Sequence, residues 1–509
     1  MKRILLIAAV LSIFLISSTS SSANPGITAS VDLSLLEEAK DAYLAEIIKT
    51  INGLKIANQP FNDGYFNDNK LTVTQAARDA HFKVKGDVFY INIDKFSVNF
   101  FSANFRQSLW FIPITGFCRV TMNDSKLRVG VKLTTQKFKD RTIASLQVID
   151  AEFKVNGNRL TFDLGGGFMA DFIEIFIPLF KGRIQQDIEN SIATALRNDL
   201  PKSLNKLLLQ QGGVVQFWQF EQFKDLYMDY NIESPPKFEG DYIGCGFNGT
   251  FYNQNKTYYV PQIKHNTMPF HNKDLKSRIQ VFLSDYFLES LAHAGLEDFQ
   301  FGFAVKHDEV PAYFPFQLTT SALDTYFAGL VETFGRDVPV NMNFTIVDIE
   351  QFDIIRSKQK IIAEVDFFIT LIVAPPGEEP KIAGTMEFNN TAIDFTLEKR
   401  DLQILATLND LEISHIYVNS KYLGKLDVSI MRSFFNLALN AAVPFFNIFF
   451  SQYYIQIPDT VFNLFKVKDV TMTYYDHYIE LGVTPEFIPV QKVVRQSLIE
   501  HHRLFEPLQ

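Results

Sequence analysis

Two halves of this 509-residue chain carry the same alternation of apolar and polar positions. In the first half, Leu36, Ala39, Tyr43 and Ile47, continued by Leu44, Ile48 and Ile51, recur at helical spacing and predict an amphipathic helix. Strands follow. Phe89, Ile91 and Ile93 alternate with Tyr90, Asn92 and Asp94; Leu127, Val129, Val131 and Leu133 alternate with Arg128, Gly130 and Lys132; Ile149, Ala151, Phe153 and Val155 continue the pattern. A period of two places one face in an apolar interior and the other in water, as in antiparallel sheets. Residues 168–209 then predict a long helix, with Phe180, Ile184, Ile188, Ile192 and Leu196 on one stripe and Pro178 and Pro201 expected to kink or divide it.

The second half repeats the plan. Residues 281–296 read as its opening helix, with Leu283, Tyr286, Phe287, Ser290, Leu291 and Ala294 at helical spacing and Gly295 where a C-terminal cap is expected. Ala363, Val365, Phe367, Ile369, Leu371 and Val373 form a long alternating strand, and Ile393, Phe395 and Leu397, then Leu402, Ile404, Ala406 and Leu408, continue the meander. A late helix spans residues 428–452, bent near Pro444, and final strands surround Val470, Met472 and Tyr474. Within that helix, Phe434 to Phe450 is the nearest thing to a membrane span beyond the N-terminus, but that segment is short, carries Asn436, Asn440 and Asn447, and is broken by Pro444. Residues 232–240, with two prolines and a closing glycine, read as a connector. Twisted sheets with one apolar face curl, and long helices can plug the curl. The pattern therefore predicts an α+β chain of two tandem barrel-like domains.

The N-terminus changes the compartment. Lys2 and Arg3 precede an apolar run at residues 4–16 and a small-residue site at Ser21-Ser22-Ala23, which predicts a secretory signal over residues 1–23. Five Asn-X-Ser/Thr sequons, at Asn123, Asn248, Asn255, Asn343 and Asn389, are candidate glycosylation sites. Cys118 and Cys245 cannot build a disulfide framework; whether they form a single bridge stays open. The 50 phenylalanines favour thick aromatic interiors or apolar cavities. From residue 241 onward, 21 Lys and Arg face 32 Asp and Glu, a balance of −11, which argues against nucleic acid as a partner.

Several motifs, in order along nearly the whole mature chain, resemble one family. Asn24-Pro25-Gly26-Ile27 resembles its opening, and Ser191 to Asn198 the end of its long first-domain helix. Phe247-Asn-Gly-Thr-Phe-Tyr-Asn253 resembles the strand after its linker, Leu283-Ser-Asp-Tyr-Phe287 with Ala294-Gly-Leu296 the second-domain opening, and Ala442-Val-Pro444 with Gln456-Ile-Pro458 the late helix and following turn. The family is that of the bactericidal/permeability-increasing, lipopolysaccharide-binding, and cholesteryl ester and phospholipid transfer proteins. The resemblance implies a boomerang of two barrel-like domains joined by a central sheet, each with an apolar pocket for a lipid tail. On that plan residues 24–230 and 263–509 are the two lipid-binding domains and 231–262 the linker with a central-sheet strand. Two departures stand out. The family joins a first-domain strand to the long helix by a disulfide, yet residues 146–149 and the helix near Lys206 lack cysteine. The endotoxin-binding members carry a cationic tip, where residues 100–113 hold only Arg106. A basic run at Arg119, Lys126, Arg128, Lys132, Lys137, Lys139 and Arg141 reads more simply as a solvated strand face.

No nucleophile elbow, zinc helix or phosphate loop is present. Gly165-Gly166-Gly167 reads as a flexible turn, His307-Asp308-Glu309 as a charged turn, His293 as structural and His501-His502 as tail. The expectation is a secreted, monomeric, non-enzymatic lipid-binding or lipid-transfer protein that uses no cofactor or metal and touches membranes transiently. Its candidate pocket residues are Leu35, Tyr43, Phe176, Phe180 and Ile184 in the first domain and Phe287, Leu291, Phe435, Leu439 and Phe446 in the second. The alternatives are an antibacterial binder of lipopolysaccharide, a hydrolase using the same pocket, and a secreted structural protein with no ligand.

Overall fold

The computed structural model describes residues 25–488 apart from internal stretches, the longer of which are 39–47, 166–176, 217–224, 254–267 and 311–316. Each half opens with a strand that runs into a helix. In the first half β1 (Ile27–Asp32) leads to α1 (Ser34–Glu38). The longer strands β2 (Gly64–Gln75), β3 (Val88–Leu109), β4 (Ile112–Phe138), β5 (Arg141–Lys154) and β6 (Leu160–Gly165) follow, then helix α2 (Ile177–Gln211) and the hairpin β7 (Ile232–Glu239) and β8 (Tyr242–Phe247). In the second half β9 (Ile279–Ser284) leads to α3 (Asp285–Asp298). Then come β10 (Val340–Ile355), β11 (Lys360–Val373), β12 (Lys381–Arg400), β13 (Gln403–Glu412), helix α4 (Val428–Phe450) and the hairpin β14 (Phe465–Tyr475) and β15 (Tyr478–Phe487).

Three large antiparallel sheets result. One orders β2-β3-β4-β5, with β6 also on β4; another orders β10-β11-β12-β13. The central sheet runs β7-β8-β1-β9-β15-β14, with Thr460–Val461 at its margin. Its middle pair is antiparallel, Ile27 facing Leu283 and Val31 facing Ile279. Each half thus begins and ends in the central sheet and builds its own sheet in between.

Alternation predicts much of this. All six positions predicted to face inward on β11 are buried, as are Phe89, Ile91 and Ile93 on β3. Ile149 is a correction. It is 42% exposed, while Val148 and Ala151 are buried. The register slips there, Gly130 facing Asp150 but Val131 facing Val148, so Ile149 is the extra residue of a bulge and points outward. Residues 281–284 are strand, not helix; they pair with β1 and β15, and the Ser284 hydroxyl accepts the Phe287 N–H at the head of α3. Gly295 lies inside α3, which ends at Asp298. The proline-rich connector is an edge strand, β7, with a register shift between Ser234 and Lys237 that spans Pro235 and Pro236; an edge has no partner on its outer side, so the missing N–H groups cost little there. The helix runs through Pro201 as one element, and Pro178 falls in its first turn. Of the predicted first-half helix, Ser34–Glu38 is described and most of the remainder lies outside the described residues. Cys118 and Cys245 are not bridged: both are buried, one on β4 and the other on β8 of a different sheet.

A curled sheet leaves edge strands with unpaired backbone groups. Here the helices supply the partners. In the first half the Asn205 amide of α2 accepts the Leu146 N–H at 2.6 Å and donates to the Leu146 carbonyl at 2.9 Å. Further along the same helix, Gln185 donates to the Val155 carbonyl and Glu189 accepts the Val155 N–H. In the second half Asn447 of α4 makes the same double bond to Leu408, at 2.7 and 2.8 Å, and Asn440 makes it to Leu411, at 3.1 and 3.0 Å. Asn436 accepts the Ile413 N–H at 2.9 Å. An asparagine side chain carries one donor group and one acceptor, so it presents a helix to an edge as though it were another strand. The strand and helix that the family disulfide would join are tied here by Asn205. Replacing Asn440 with alanine strands both Leu411 groups, and we expect a loss of about 1–3 kcal/mol by denaturant unfolding. The Leu411 amide then exchanges faster with deuterium while Leu371 on β11 does not, and the same change at exposed Asn343 is near neutral.

Candidate functional site

Each large sheet wraps an apolar interior against its helix. In the first half, Val98, Phe100, Val120, Met122, Val129 and Phe153 on the sheet meet Ile188, Ile192 and Leu196 of α2, with Leu35 of α1 in the same interior. Phe66 stacks on Phe105 at 5.3 Å and meets Phe100 edge-on at 5.5 Å. In the second half, Phe367, Ile369, Leu371, Met386 and Phe388 meet Met431, Phe434, Phe435 and Leu439 of α4. Phe435 lies edge-on to Phe388 at 4.8 Å and to Phe327 at 5.8 Å, while Phe388 stacks flat on Phe367 at 4.6 Å. Such surfaces can shield an acyl chain from water and offer it only dispersion contacts.

The candidate residues divide accordingly. Leu35 sits in the first interior; Phe435 and Leu439 are buried in the second, and Phe446 packs against it half-buried. Phe287 and Leu291 belong to a third apolar cluster under α3, with Ile27, Leu226, Phe251 and Phe352. They therefore do not share an interior with Phe435. Tyr43 and Phe176 lie outside the described residues, and the side chains of Phe180 and Ile184 on α2 are outside them too. Of the sequons, Asn343 is exposed, Asn123, Asn248 and Asn389 are half-buried, and Asn255 lies outside the described residues. The Asn248 amide donates to Glu233 at 2.8 Å and its oxygen accepts the Thr250 N–H at 3.0 Å, so a glycan there would displace a formed turn.

Three of the motifs that carry the family resemblance converge at the middle of the molecule. The Gly26 N–H donates to the Asn248 carbonyl at 2.9 Å, and the Gly26 carbonyl accepts both the Ser284 N–H, at 3.1 Å, and the Ser284 hydroxyl, at 2.8 Å. The Tyr286 and Thr250 hydroxyls bond to each other, and Ser290 accepts the Phe251 N–H. A Cβ on Gly26 would collide with the Asn248 carbonyl oxygen, so only glycine fits. These residues hold the halves together; they do not line either interior.

Four cations of the basic strand face have acidic partners. Arg119 pairs with Asp163, Lys126 with Asp94, Arg128 with Asp150 and Lys132 with Asp87. The other short motifs are equally occupied. His307 bonds the Leu318 carbonyl, Lys306 pairs with Glu309, and the Phe117 ring lies where a Cβ on Gly165 would be. His501 and His502 lie outside the described residues. Among the described residues no three His, Cys, Asp or Glu side chains are grouped as a metal site.

Sequence reading missed a buried titratable row on α3. Asp285, Glu289 and His293 follow at four-residue spacing and face β10 and the β14–β15 turn. The Asp285 carboxylate meets the His477 ring at 3.1 Å, and burial raises its pKa. Glu289 is 2% exposed, accepts the Phe352 backbone N–H, and leaves Oε2 without a partner among the described residues. Burial, with the neighbouring Asp285 and Asp348 charges, pushes its pKa up to about 8. His293, 3.7 Å from Asp348, is held below its ordinary range by burial. The i, i+4, i+8 run of ionisable residues in an otherwise apolar helix was the signal for this row.

Residues 222–486 match the C-terminal domain of the LBP / BPI / CETP family. No curated protein matches the chain by sequence. Among solved structures, a crystal structure of lipopolysaccharide binding protein is similar at 15% identity and TM-score 0.47, over 92% of this chain and 100% of that chain. Takeout 1 of Epiphyas postvittana is similar at 11% identity and TM-score 0.26, over 35% of this chain and 93% of that one. P47 from Clostridium botulinum A2 shares 8% identity at TM-score 0.27, over 90% and 97%. These scores are too low for the three structures to carry weight.

The Glu289 environment makes a signed prediction. Its folded pKa of about 8 stands above the free carboxylate value of 4.5, so the folded state holds the proton more tightly. This stabilisation is complete below about pH 4.5 and is lost as pH rises toward 8. We expect Glu289→Gln to remove that fall. Thermal unfolding midpoints of the variant, measured from pH 5 to 8.5, should exceed those of the parent by a few degrees at the alkaline end and converge at the acid end.

Proposed function

This chain belongs to the LBP / BPI / CETP family, and from that premise we propose that it is a secreted protein that binds phospholipid or a similar lipid and transfers it between membranes. The reading gives each half, residues 24–230 and 263–509, one apolar interior for acyl chains. The observation that carries it is the construction of those interiors: an aromatic- and aliphatic-lined sheet face, closed along one side by a helix instead of another strand. A helix held by side-chain amides is the wall that can yield to a lipid tail. Leu35 in the first half, and Phe435, Leu439 and Phe446 in the second, are the described contacts for that tail.

The mechanism is desolvation, without covalent chemistry. Each CH₂ of an acyl chain gains ~0.8 kcal/mol on leaving water, so a chain several carbons deep is held strongly while its polar head stays at the surface. No helix among the described residues is long and apolar enough to cross a membrane, which suits a carrier that visits membranes. Capture of endotoxin, the alternative, draws little support from the basic strand face, where Arg119, Lys126, Arg128 and Lys132 each have an aspartate partner.

Protein expressed through a eukaryotic secretory pathway and examined by native mass spectrometry should carry lipid, and should move a fluorescent phospholipid between vesicles at a rate insensitive to salt. Leu439→Trp, which fills the second interior, should lower the recovered lipid by about half at a cost of ~1–3 kcal/mol in stability. Absence of lipid together with absence of transfer sinks the proposal.

A further inference from the structure

We infer that the outward face of α4 is a docking surface for neutral, zwitterionic lipid, through which the molecule rests on a membrane. Ile430, Leu437 and Ile448 are spaced seven and eleven residues apart, so they form a single stripe two and three turns in length. They are 47%, 57% and 65% exposed. Helices that face water normally turn polar residues outward. This helix carries one charged residue, Arg432, and none from 433 to 450. Its asparagines at 436, 440 and 447 are spent on the β13 edge and the residue that follows it, facing inward. The Ser433 hydroxyl, beside the stripe, donates to the Ser429 carbonyl of its own helix. The outer face therefore has almost nothing to offer water.

Three kinds of occupant can be weighed. An anionic surface is disfavoured, because residues 241–509 carry a balance of −11 and the stripe holds no cation of its own. A second copy of the chain needs about 800 Å² per partner, far more than three half-exposed aliphatic side chains supply. A neutral lipid surface needs neither matching charge nor a complementary shape. A helix with one apolar face and no ion to bury lies in such an interface with its axis parallel to the membrane. The placement also has a use, which rests on the carrier reading above: Phe435 and Leu439 on the inner face of the same helix line the second interior, which docking brings to within one helix diameter of the bilayer.

The test uses the full chain and vesicles of phosphatidylcholine alone. The parent protein should float with the vesicles equally at low and high salt, and the triple variant Ile430→Ser, Leu437→Ser, Ile448→Ser should bind about tenfold less or weaker still. The variant should keep its bound lipid by native mass spectrometry, since the three side chains point away from the interior. A second measurement does not depend on that variant. Cys118 and Cys245 are buried, and burial pushes the Cys118 thiol up to about 12, so a polarity-sensitive fluorophore can be placed on Leu437→Cys alone. Its emission should shift to the blue when vesicles are added. The inference is overturned if the parent does not float, if the triple variant floats as well as the parent, or if the fluorophore does not shift. Binding confined to anionic vesicles and lost in salt overturns it too, as does a dimer that the triple variant abolishes. Protein that floats but never carries lipid upholds the docking surface and removes the carrier reading, so the two can fail separately.

Discussion

The margin of a curled sheet sets the terms for this protein. Strand β5 closes one sheet and the later part of β13 closes another, and among the described residues neither has a strand on its outer side to take up its N–H and carbonyl groups. Left in water, those edges would invite pairing with other chains; left in an apolar interior, they would be costly. The helices resolve this with amide side chains at Asn205, Asn436, Asn440 and Asn447. Once the helix is fixed along the seam, its remaining faces have set directions. On α4 one face bonds the edge, one carries phenylalanines into the interior and one carries aliphatic residues outward. The burial of Phe435 and the exposure of Leu437 are both consequences of where the asparagines must point.

Period-two patterning made β11 legible to the residue, because its neighbours on both sides keep register over most of its length and each inward side chain is buried, Ala363 and Val365 in the cluster under α3 and Phe367 to Val373 in the second interior. It failed at Ile149, where one inserted residue reverses the phase and no local preference marks the bulge. It failed again at residues 281–284, where four apolar and small residues fit a strand or the first turn of a helix equally well; tertiary pairing with β1 decided between them. Proline read as a linker at residues 232–240 because the backbone penalty depends on a neighbour that sequence does not reveal. The asparagines of α4 were visible as an oddity in an apolar helix. Their purpose was not, since it lies on a strand some thirty residues away in sequence.

The family motifs were readable for a related reason. Gly26, Asn248 and Ser284 hold backbone to backbone, and Thr250 and Tyr286 hydroxyl to hydroxyl, at spacings that few residue types tolerate, so they leave a recognisable trace. The interiors leave no such trace. Phe435 against Phe388 and Phe327 is chemically the same whether the ring serves only the core or also touches a ligand. Resemblance therefore names the framework far better than the cargo. The aspartates opposite Arg119, Lys126, Arg128 and Lys132 show how a basic run that suggests one activity can belong simply to a solvated strand.

The central sheet bears on ancestry. Strands β7, β8 and β1 come from one half and β9, β15 and β14 from the other, and the boundary between the two sets is the single antiparallel pair of β1 with β9. The order is symmetric about that pair: β8 and β15 take the next places and β7 and β14 the places beyond, hairpin answering hairpin. This is the arrangement of two subunits that met edge to edge on a two-fold axis. A peptide linking the end of one to the start of the other would turn such a dimer into this chain without moving a strand, and would free each copy to acquire a lining of its own.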